Sequence, residues 1–406
     1  MHQDSLSKEE LMLVVIDTLF YFVIGLATVF LSVYLFRLGG FSTVIRFHLV
    51  SFLFLLILYN ASGYFLSKLS SRILIVGSFL LFSGFWGLLV CLKNAALEYV
   101  IPLGILHGTA NGLYWSGFNL SQYILTHKTT RLHYFGKINA WQNLFRSIAP
   151  IVGAGVIYFG NTLFQTVTGG YGMLFILICI LYVLMATVAW FLPDHRGIEF
   201  SLVHILKHKR GSLWKLVLTQ QGILGLFDVA FSTLINVLLY VIFISETAVG
   251  IFNSLVILLV GISSFFAVKL LRRFPRLPLG AAIMTSAGLL IFGFSLTKPG
   301  VIILGILFAA SNPFLRIPLS ANILNGIDSN PEPWQKKYHM FLERDTVLGM
   351  ARVVSYAGLA LLFASGDKPQ TAALWLRYIA ILPLILGVLL VISPVSVENK
   401  TQLTAD

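Results

Sequence analysis

Residues 103–114 read LGILHGTANGLY, and residues 304–315, in the later part of the chain, read LGILFAASNPFL. Both stretches begin with Leu-Gly-Ile-Leu, and each places an asparagine, Asn111 or Asn312, at the same distance from that start. Self-similarity of this kind is the pattern of a duplicated fold. We therefore expect further positions in the two halves of the chain to match.

Two more sets of residues match in the same way. Residues 131–146, RLHYFGKINAWQNLFR, parallel residues 337–352, KYHMFLERDTVLGMAR, and this aligns Arg146 with Arg352. Near the start of each half, Asp17 aligns with Asp228. The matches occur in the same order along both halves, so the sequence predicts two related halves.

The composition indicates the class of protein. Of the 406 residues, 57% are apolar and 11% are charged, and the mean hydropathy is +0.88. Soluble domains carry about 25% charged residues. The apolar residues come in runs of about twenty, the length at which a helix crosses a bilayer. The sequence predicts an all-α membrane protein, since a β-barrel would alternate apolar and polar residues. We place twelve transmembrane helices at residues 12–36, 46–66, 73–92, 99–123, 136–160, 171–192, 220–243, 249–271, 277–296, 299–324, 342–365 and 371–393.

The basic residues predict the orientation. Lys and Arg concentrate in the loops and tails on the side of the two termini, and the opposite loops hold only Arg37, Arg46, Lys93, Lys298 and Lys368. By the positive-inside rule both termini are cytoplasmic, and the short loops favour a bacterial inner membrane. The net charge of +12 then faces the anionic lipid of the bilayer, so no nucleic-acid partner is expected.

The longest inner connection divides the chain into domains. We expect an N-terminal six-helix bundle at residues 1–193, a cytoplasmic basic linker at 194–219 and a C-terminal six-helix bundle at 220–406. Residues 194–215 are basic and amphipathic, which favours an interfacial helix in this linker.

Two repeats of six spans, with both ends inside, resemble the major facilitator superfamily over nearly the whole chain. The resemblance implies two pseudo-symmetric six-helix bundles that work by alternating access, with the substrate held near the midplane. In such transporters the first, fourth, seventh and tenth spans line the central cavity.

Loop and helix motifs carry the same resemblance in eroded form. Residues 63–72, GYFLSKLSSR, are similar to the family's Gly-x-Leu-Ala-Asp-Arg-x-Gly-Arg-Arg, with Ser67 at the position of the Asp. Residues 264–273, SFFAVKLLRR, have Val268 there. Residues 145–154, FRSIAPIVGA, are similar to the Gly-x-x-x-Gly-Pro-x-x-Gly-Gly of exporters in the family. The predicted gating residues are Lys68, Arg72, Pro150, Gly153, Glu343 and Asp345.

Four ionisable residues repeat by half inside the predicted spans. Asp17 and Arg146 lie in spans one and five, and Asp228 and Arg352 lie in spans seven and eleven. A charge at the bilayer centre costs at least ~2.5–3.5 kcal/mol, so it usually faces a partner or a cavity. We predict two ion pairs, Asp17–Arg146 and Asp228–Arg352. The pairs are either static, or at least one aspartate exchanges a proton; the sequence does not separate the two aspartates.

Polar residues recur at helical spacing on the four spans expected to line the cavity. They should point inward, either into the cavity or into bonds between helices. Arg316 has no acidic residue in its own span, and its guanidinium suits a carboxylate or phosphate. The predicted substrate-binding residues are Tyr21, Asn111, Tyr114, Trp115, Asn119, Gln122, Ser232, Asn236, Asn312 and Arg316.

These observations favour a secondary active transporter rather than an enzyme. We expect a monomer that exports a small organic, anionic or amphipathic solute in exchange for protons. The sequence has no Gly-x-x-x-x-Gly-Lys-Ser/Thr phosphate loop, so ATP drive is not expected, and it has no motif for a cofactor or metal. The alternatives are an uptake carrier, a flippase for a lipid-like anion, or a non-transporting assembly factor or sensor.

Overall fold

The computed structural model describes residues 6–126, 131–165, 169–194, 198–200 and 210–392. Helices account for nearly all of this part of the chain, and it contains no strand. The predicted all-α fold class is confirmed. The interfacial helix predicted at 194–215 falls largely on residues 195–197 and 201–209, which lie outside the described residues.

The described elements follow one another as thirteen α-helices with two short irregular turns. In chain order they are α1 (Lys8–Lys68), α2 (Ser71–Leu92), a 3₁₀ turn (Lys93–Leu97), α3 (Val100–Leu125), α4 (Arg131–Phe164), α5 (Gly169–Ala189), α6 (Ser212–Val229), a π-helical turn (Ala230–Leu234), α7 (Ile235–Phe243), α8 (Glu246–Arg273), α9 (Leu277–Phe294), α10 (Lys298–Asp328), α11 (Trp334–Phe363), α12 (Pro369–Ile379) and α13 (Ile381–Val391).

Helix α1 begins at a well-formed cap and contains a break. The Ser7 side chain accepts a hydrogen bond from the Glu10 backbone, and the Glu10 side chain accepts one from the Ser7 backbone, which forms a capping box. At Gly39 and Gly40 the backbone leaves the helical region, and Gly40 has a φ of 74°. Only glycine adopts that φ without strain, so these two residues join two helical segments.

Nine helices in the described part of the chain are long and apolar enough to cross a membrane. One of them is α1, whose 61 residues include both segments around the glycine break. At 1.5 Å per residue, about twenty residues of helix span the hydrocarbon core. The chain is therefore a multi-pass membrane protein, and the total of twelve spans stays a prediction.

The chain divides into two compact units. The first consists of Met1–Phe200, Ile244–Leu255 and Trp334–Tyr338, and the second of Ser201–Phe243, Val256–Pro333 and His339–Asp406.

In the first unit, α1 packs against α3 and α4, and α2 packs against α3 and α5. Helices α1 and α4 approach closely at Gly25, where an added Cβ atom would lie 2.6 Å from the Cβ of Ala149. A side chain at Gly25 would therefore push the two helices apart. This contact fixes the turn of α4 that carries Arg146 against the helix that carries Asp17.

In the second unit, α9 packs against α10 and α13, and α6 packs against α10 and α13. Helix α6 also approaches α11 at Gly225, where an added Cβ would lie 2.5 Å from the Leu348 carbonyl oxygen and 2.7 Å from the Ala351 Cβ. Gly225 lies one turn before Asp228, and Ala351 precedes Arg352. Each unit thus holds its aspartate-bearing helix tightly against the helix that carries the matching arginine.

Candidate functional site

The second unit holds a carboxylate between two guanidinium groups. Arg316 Nη2 on α10 donates to Asp228 Oδ1 at 3.0 Å, and Arg352 Nη2 on α11 donates to Asp228 Oδ2. The side chains of Asp228, Arg352 and Arg316 are 19%, 22% and 42% exposed, respectively. The predicted Asp228–Arg352 pair is therefore formed. Arg316 has no acidic residue in its own span, and its acidic partner, Asp228, reaches it from α6.

A π-helical turn, Ala230–Leu234, follows Asp228 directly. Its i→i+5 hydrogen bonding places one residue more in the turn than an α-helix would, and such turns are frequent at functional sites. Thr233 in this turn contacts the Tyr356 hydroxyl on α11 at 2.5 Å, and Asn236 after it is buried. The side chain of Ser232, predicted to bind substrate, lies outside the described residues.

A small cavity lies beside Arg316 within the second unit. Its lining includes Phe227 from α6 and Phe308, Asn312 and Arg316 from α10. The Phe231 and Phe308 rings stack with centroids 4.1 Å apart and an interplanar angle of 24°. Arg316 and Asn312, both predicted to bind substrate, are thus brought together at one cavity with a flat aromatic neighbour.

Asp17 in the first unit has a different environment. It is 1% exposed, and Gln142 Nε2 and the Tyr114 hydroxyl donate to its two oxygens, the latter at 3.5 Å. The Arg146 guanidinium instead lies over the Tyr21 ring, 5.9 Å from its centroid. The predicted Asp17–Arg146 ion pair is therefore wrong within the described residues, because a neutral amide one turn before Arg146 takes the carboxylate.

Aromatic rings surround Asp17. Tyr114 stacks on Phe20 with centroids 3.6 Å apart, and Trp115 meets Phe20 edge-on at 5.7 Å. Tyr114 is 0% exposed, so its hydroxyl serves Asp17 here and its ring does not face a ligand. Tyr21 and Trp115 are half-buried and remain candidates for substrate contact.

The polar stripe predicted on span four makes bonds within the protein. Asn111 Nδ2 donates to the His107 carbonyl oxygen at 2.9 Å. Asn119 Nδ2 donates to the Tyr59 hydroxyl at 3.1 Å. Gln122 Nε2 lies 3.4 Å from the Tyr134 hydroxyl. The Asn111 bond lies within α3, whereas the Asn119 and Gln122 contacts reach α1 and α4 and agree with the alternative that such residues bond helices together.

The predicted gating residues lie in several places. Lys68 is exposed, and Arg72 pairs with Asp194 at 3.8 Å. Glu343 is 7% exposed and accepts from Trp214 Nε1 at 2.7 Å and from Arg210. The remaining member of the α11 group, Asp345, pairs with the adjacent arginine on the same helix.

Pro150 and Gly153 lie on α4 in the first unit. Pro150 cannot donate a backbone hydrogen bond and disturbs the ladder around it. The next amide, Ile151 N–H, donates to Ser254 Oγ of α8 at 3.1 Å. One turn earlier on α8, an added Cβ at Gly250 would lie 2.6 Å from the Pro150 carbonyl oxygen. Gly153 also lies at a close approach, because an added Cβ there would lie 2.6 Å from a carbon of the Phe30 ring.

Sequence reasoning missed several residues that carry these contacts. Gln142 precedes Arg146 by four positions, so helical spacing already placed it on the same face. Gly250 and Ser254 share a face of α8 by the same spacing, yet nothing local indicated α4 as their partner. Trp214 carried no signal, because an aromatic residue near a membrane surface is common in any span.

No protein-family model matches the sequence. The chain is 23% identical over 367 residues to the uncharacterized protein YqgE of Bacillus subtilis, a match that covers 88% of this chain and 83% of that protein.

Several solved structures are similar to this chain in fold. A mutant of the nucleoside transporter NupG superimposes with a TM-score of 0.68 at 12% identity, over 94% of this chain and 99% of that one. The E. coli fucose:proton symporter FucP gives 0.63 at 13% identity, over 94% and 98%. The human organic anion transporter MFSD10 gives 0.65 at 13% identity, over 95% and 100%.

Proposed function

Because this chain has the major facilitator fold, we propose that it is a secondary active transporter that exports a small organic, anionic or amphipathic solute in exchange for protons. The protein works by alternating access as a monomer in the inner membrane, with both termini in the cytoplasm. The solute-facing groups of the second unit are Arg316 and Asn312, which line one cavity.

The observation that carries the proton coupling is the unequal environment of the two aspartates. Asp17 is 1% exposed and has neutral partners, Gln142 and Tyr114. An ionised carboxylate is costly to bury without a cation, and neutralisation by a proton removes that cost. Asp228 has two cationic partners that favour its ionised form. Asp17 is therefore our choice for the proton-carrying group, and Asp228 stays charged.

Gating at Pro150 is supported by the contacts of α4 with α8 in the first unit. The Ile151 amide donates to the Ser254 hydroxyl, and Gly250 leaves no room for a side chain against Pro150. The contact between α4 and α8 is made through one side-chain hydroxyl and a glycine surface. The two helices can therefore separate here without pulling large side chains out of a packed core. The export direction itself rests on the resemblance of residues 145–154 to the motif of exporters.

The test uses 1-naphthalenesulfonate, a fluorescent organic monoanion that crosses lipid slowly because it stays charged. Everted membrane vesicles that contain the protein are acidified inside, and uptake of the probe is followed together with internal pH. Coupled export predicts probe accumulation and loss of the pH gradient. Asp17→Asn should abolish both, while Asp328→Asn, an exposed carboxylate at the end of α10, should leave both unchanged.

Three results contradict the proposal in different ways. Probe accumulation that persists in Asp17→Asn removes Asp17 from the coupling. Probe loss from acidified everted vesicles reverses the direction and favours an uptake carrier. No difference between vesicles with and without the protein removes transport of this solute class and leaves a flippase for a lipid-like anion or an assembly factor as the better reading.

A further inference from the structure

The cluster around Asp228 carries a surplus positive charge. Two arginines face one aspartate, and each of its oxygens already accepts from one of them. The other acidic side chains on α11 are engaged elsewhere: Glu343 by Arg210 and Trp214, and Asp345 by the arginine next to it. The charged groups that meet at Asp228 therefore sum to one positive charge.

The surplus lies at Arg316 rather than at Arg352. The Arg316 side chain is 42% exposed and Arg352 only 22%. Within the described residues, Asp228 is the partner that Arg316 has, and the contact uses one Nη2 donor. A guanidinium carries five N–H donors in a planar fork, so donors on Arg316 remain for a second acceptor. Arg352 keeps Asp228 paired while Arg316 binds that acceptor.

The surroundings of Arg316 favour a flat apolar body on the bound anion. The lining of the cavity beside it is mostly apolar: it includes Phe227, Phe308 and four leucines, and its uncharged polar residues are Asn312 and Thr285. Phe231 stacks on Phe308 at 4.1 Å, and Phe227 meets Phe231 edge-on at 4.8 Å. Aromatic groups prefer stacked or edge-on ring partners, and this group of phenylalanines offers both arrangements.

We infer that Arg316 binds the anionic group of an aromatic monoanion whose ring lies along the Phe227–Phe231–Phe308 group. The inference rests on the proposed transport function only where it identifies this binding site with the site of the transported substrate. A single negative charge brings the cluster to neutrality. A dianion leaves one charge uncompensated in a poorly solvated site, and a neutral ring leaves the arginine donors unpaired.

Direct binding to purified protein in detergent tests this charge rule. The probes share one ring system: 2-naphthoate as the monoanion, 2-naphthamide as the neutral form and 2-naphthyl phosphate at pH 8 as the dianion. Isothermal titration should show 2-naphthoate binding at least tenfold tighter than either of the others. Equal affinity for the naphthoate and the amide overturns the inference.

Variants place the anion on Arg316. Arg316→Gln should weaken 2-naphthoate binding at least tenfold and leave 2-naphthamide binding within about threefold, which also shows that the variant is folded. Arg316→Lys keeps the charge without the planar fork and should restore part of the affinity. The matched control is Arg377→Gln, because Arg377 also lies over an aromatic ring in the second unit, 4.8 Å from the Phe294 centroid. Unchanged naphthoate binding in Arg316→Gln, or equal loss in the control, overturns the inference.

Removal of the negative charge at Asp228 provides the sharpest outcome. Asp228→Asn raises the cluster from one positive charge to two, so the preferred probe should change from 2-naphthoate to 2-naphthyl phosphate. An unchanged preference overturns the charge rule even if Arg316 proves to bind the anion. Binding needs no membrane gradient, so protein that binds 2-naphthoate through Arg316 but moves no protons refutes the transport proposal and supports this inference.

Discussion

Asp228 is shared by two arginines, so we expect the stability effects of removing those arginines to be non-additive. Arg316→Gln and Arg352→Gln each delete one charge-assisted hydrogen bond but leave the aspartate paired. Such bonds contribute ~1.5–3 kcal/mol net, and the partial exposure of these side chains reduces that to about 1 kcal/mol each. Each single deletion also relieves the repulsion between the two guanidinium charges, and this keeps the loss of stability small.

The double variant leaves the Asp228 carboxylate, whose side chain is 19% exposed, without a cationic partner. Removing the partners of a buried charge costs ~3–5 kcal/mol, and we take about 4 kcal/mol for this site. The two single losses sum to about 2 kcal/mol, so the double variant should be less stable by about 2 kcal/mol more than additivity allows. Adding Asp228→Asn to the double variant removes the uncompensated charge and should recover most of that excess.

Reversible unfolding in mixed detergent micelles measures the four free energies of the cycle and that of the triple variant. Additivity within about 0.5 kcal/mol would mean that the two arginines act independently. A triple variant no more stable than the double variant would mean that the carboxylate was not the source of the loss. Either result would refute the shared-charge arrangement on which the anion site depends.

Three further predictions concern contacts that position the site, and thermal unfolding in detergent checks each of them. Gly225→Ala should destabilise the protein by ~1–3 kcal/mol because its Cβ would collide with α11. Gly280→Ala, which has open space around it, should change stability by less than ~0.5 kcal/mol, and equal effects would contradict the close approach. Trp214→Phe should cost ~1–2 kcal/mol by removing the donor to the buried glutamate on α11. Trp375→Phe should cost less, since that indole nitrogen has no hydrogen-bond partner in the described part of the chain, and the reverse order would be evidence against this account. Ser254→Ala should cost ~1–3 kcal/mol of stability and speed hydrogen exchange at the Ile151 amide of α4, which donates to the Ser254 hydroxyl. Ser254→Thr keeps a hydroxyl and should preserve both the stability and the slow exchange. Unchanged exchange in the alanine variant would show that the bond is not needed.

The sequence predicted the helical fold well because its signals were periodic and long. Runs of apolar residues indicated the spans. The predicted repeat aligns Asp228 and Arg352 with charged residues of the first half, and this indicated which helices carry the charges. Helix contacts between α1 and α4 then follow from the family resemblance, and the structure shows them. Such predictions depend on the position of a residue along a helix and not on its exact rotation.

The pairing of the charges was harder to predict because it depends on which donor lies nearest. Asp17 was assigned to Arg146, yet Gln142 on the same face of α4 bonds it. The absence of an acidic residue from the span of Arg316 did not indicate its partner, because Asp228 approaches it from another helix, α6. A repeat predicts corresponding backbone positions, and it does not predict that corresponding side chains make the same bonds.

The π-helical turn at Ala230–Leu234 changes how the two halves should be aligned. A fixed offset that brings Asp17 onto Asp228 holds only up to this turn, since the wider turn adds a residue there that α1 does not have in its described geometry. By the predicted repeat, residues after it, such as Asn236, therefore align with first-half positions one place away from those that the Asp17–Asp228 offset gives. Any ancestral six-helix sequence reconstructed from the two halves should carry a gap at this turn.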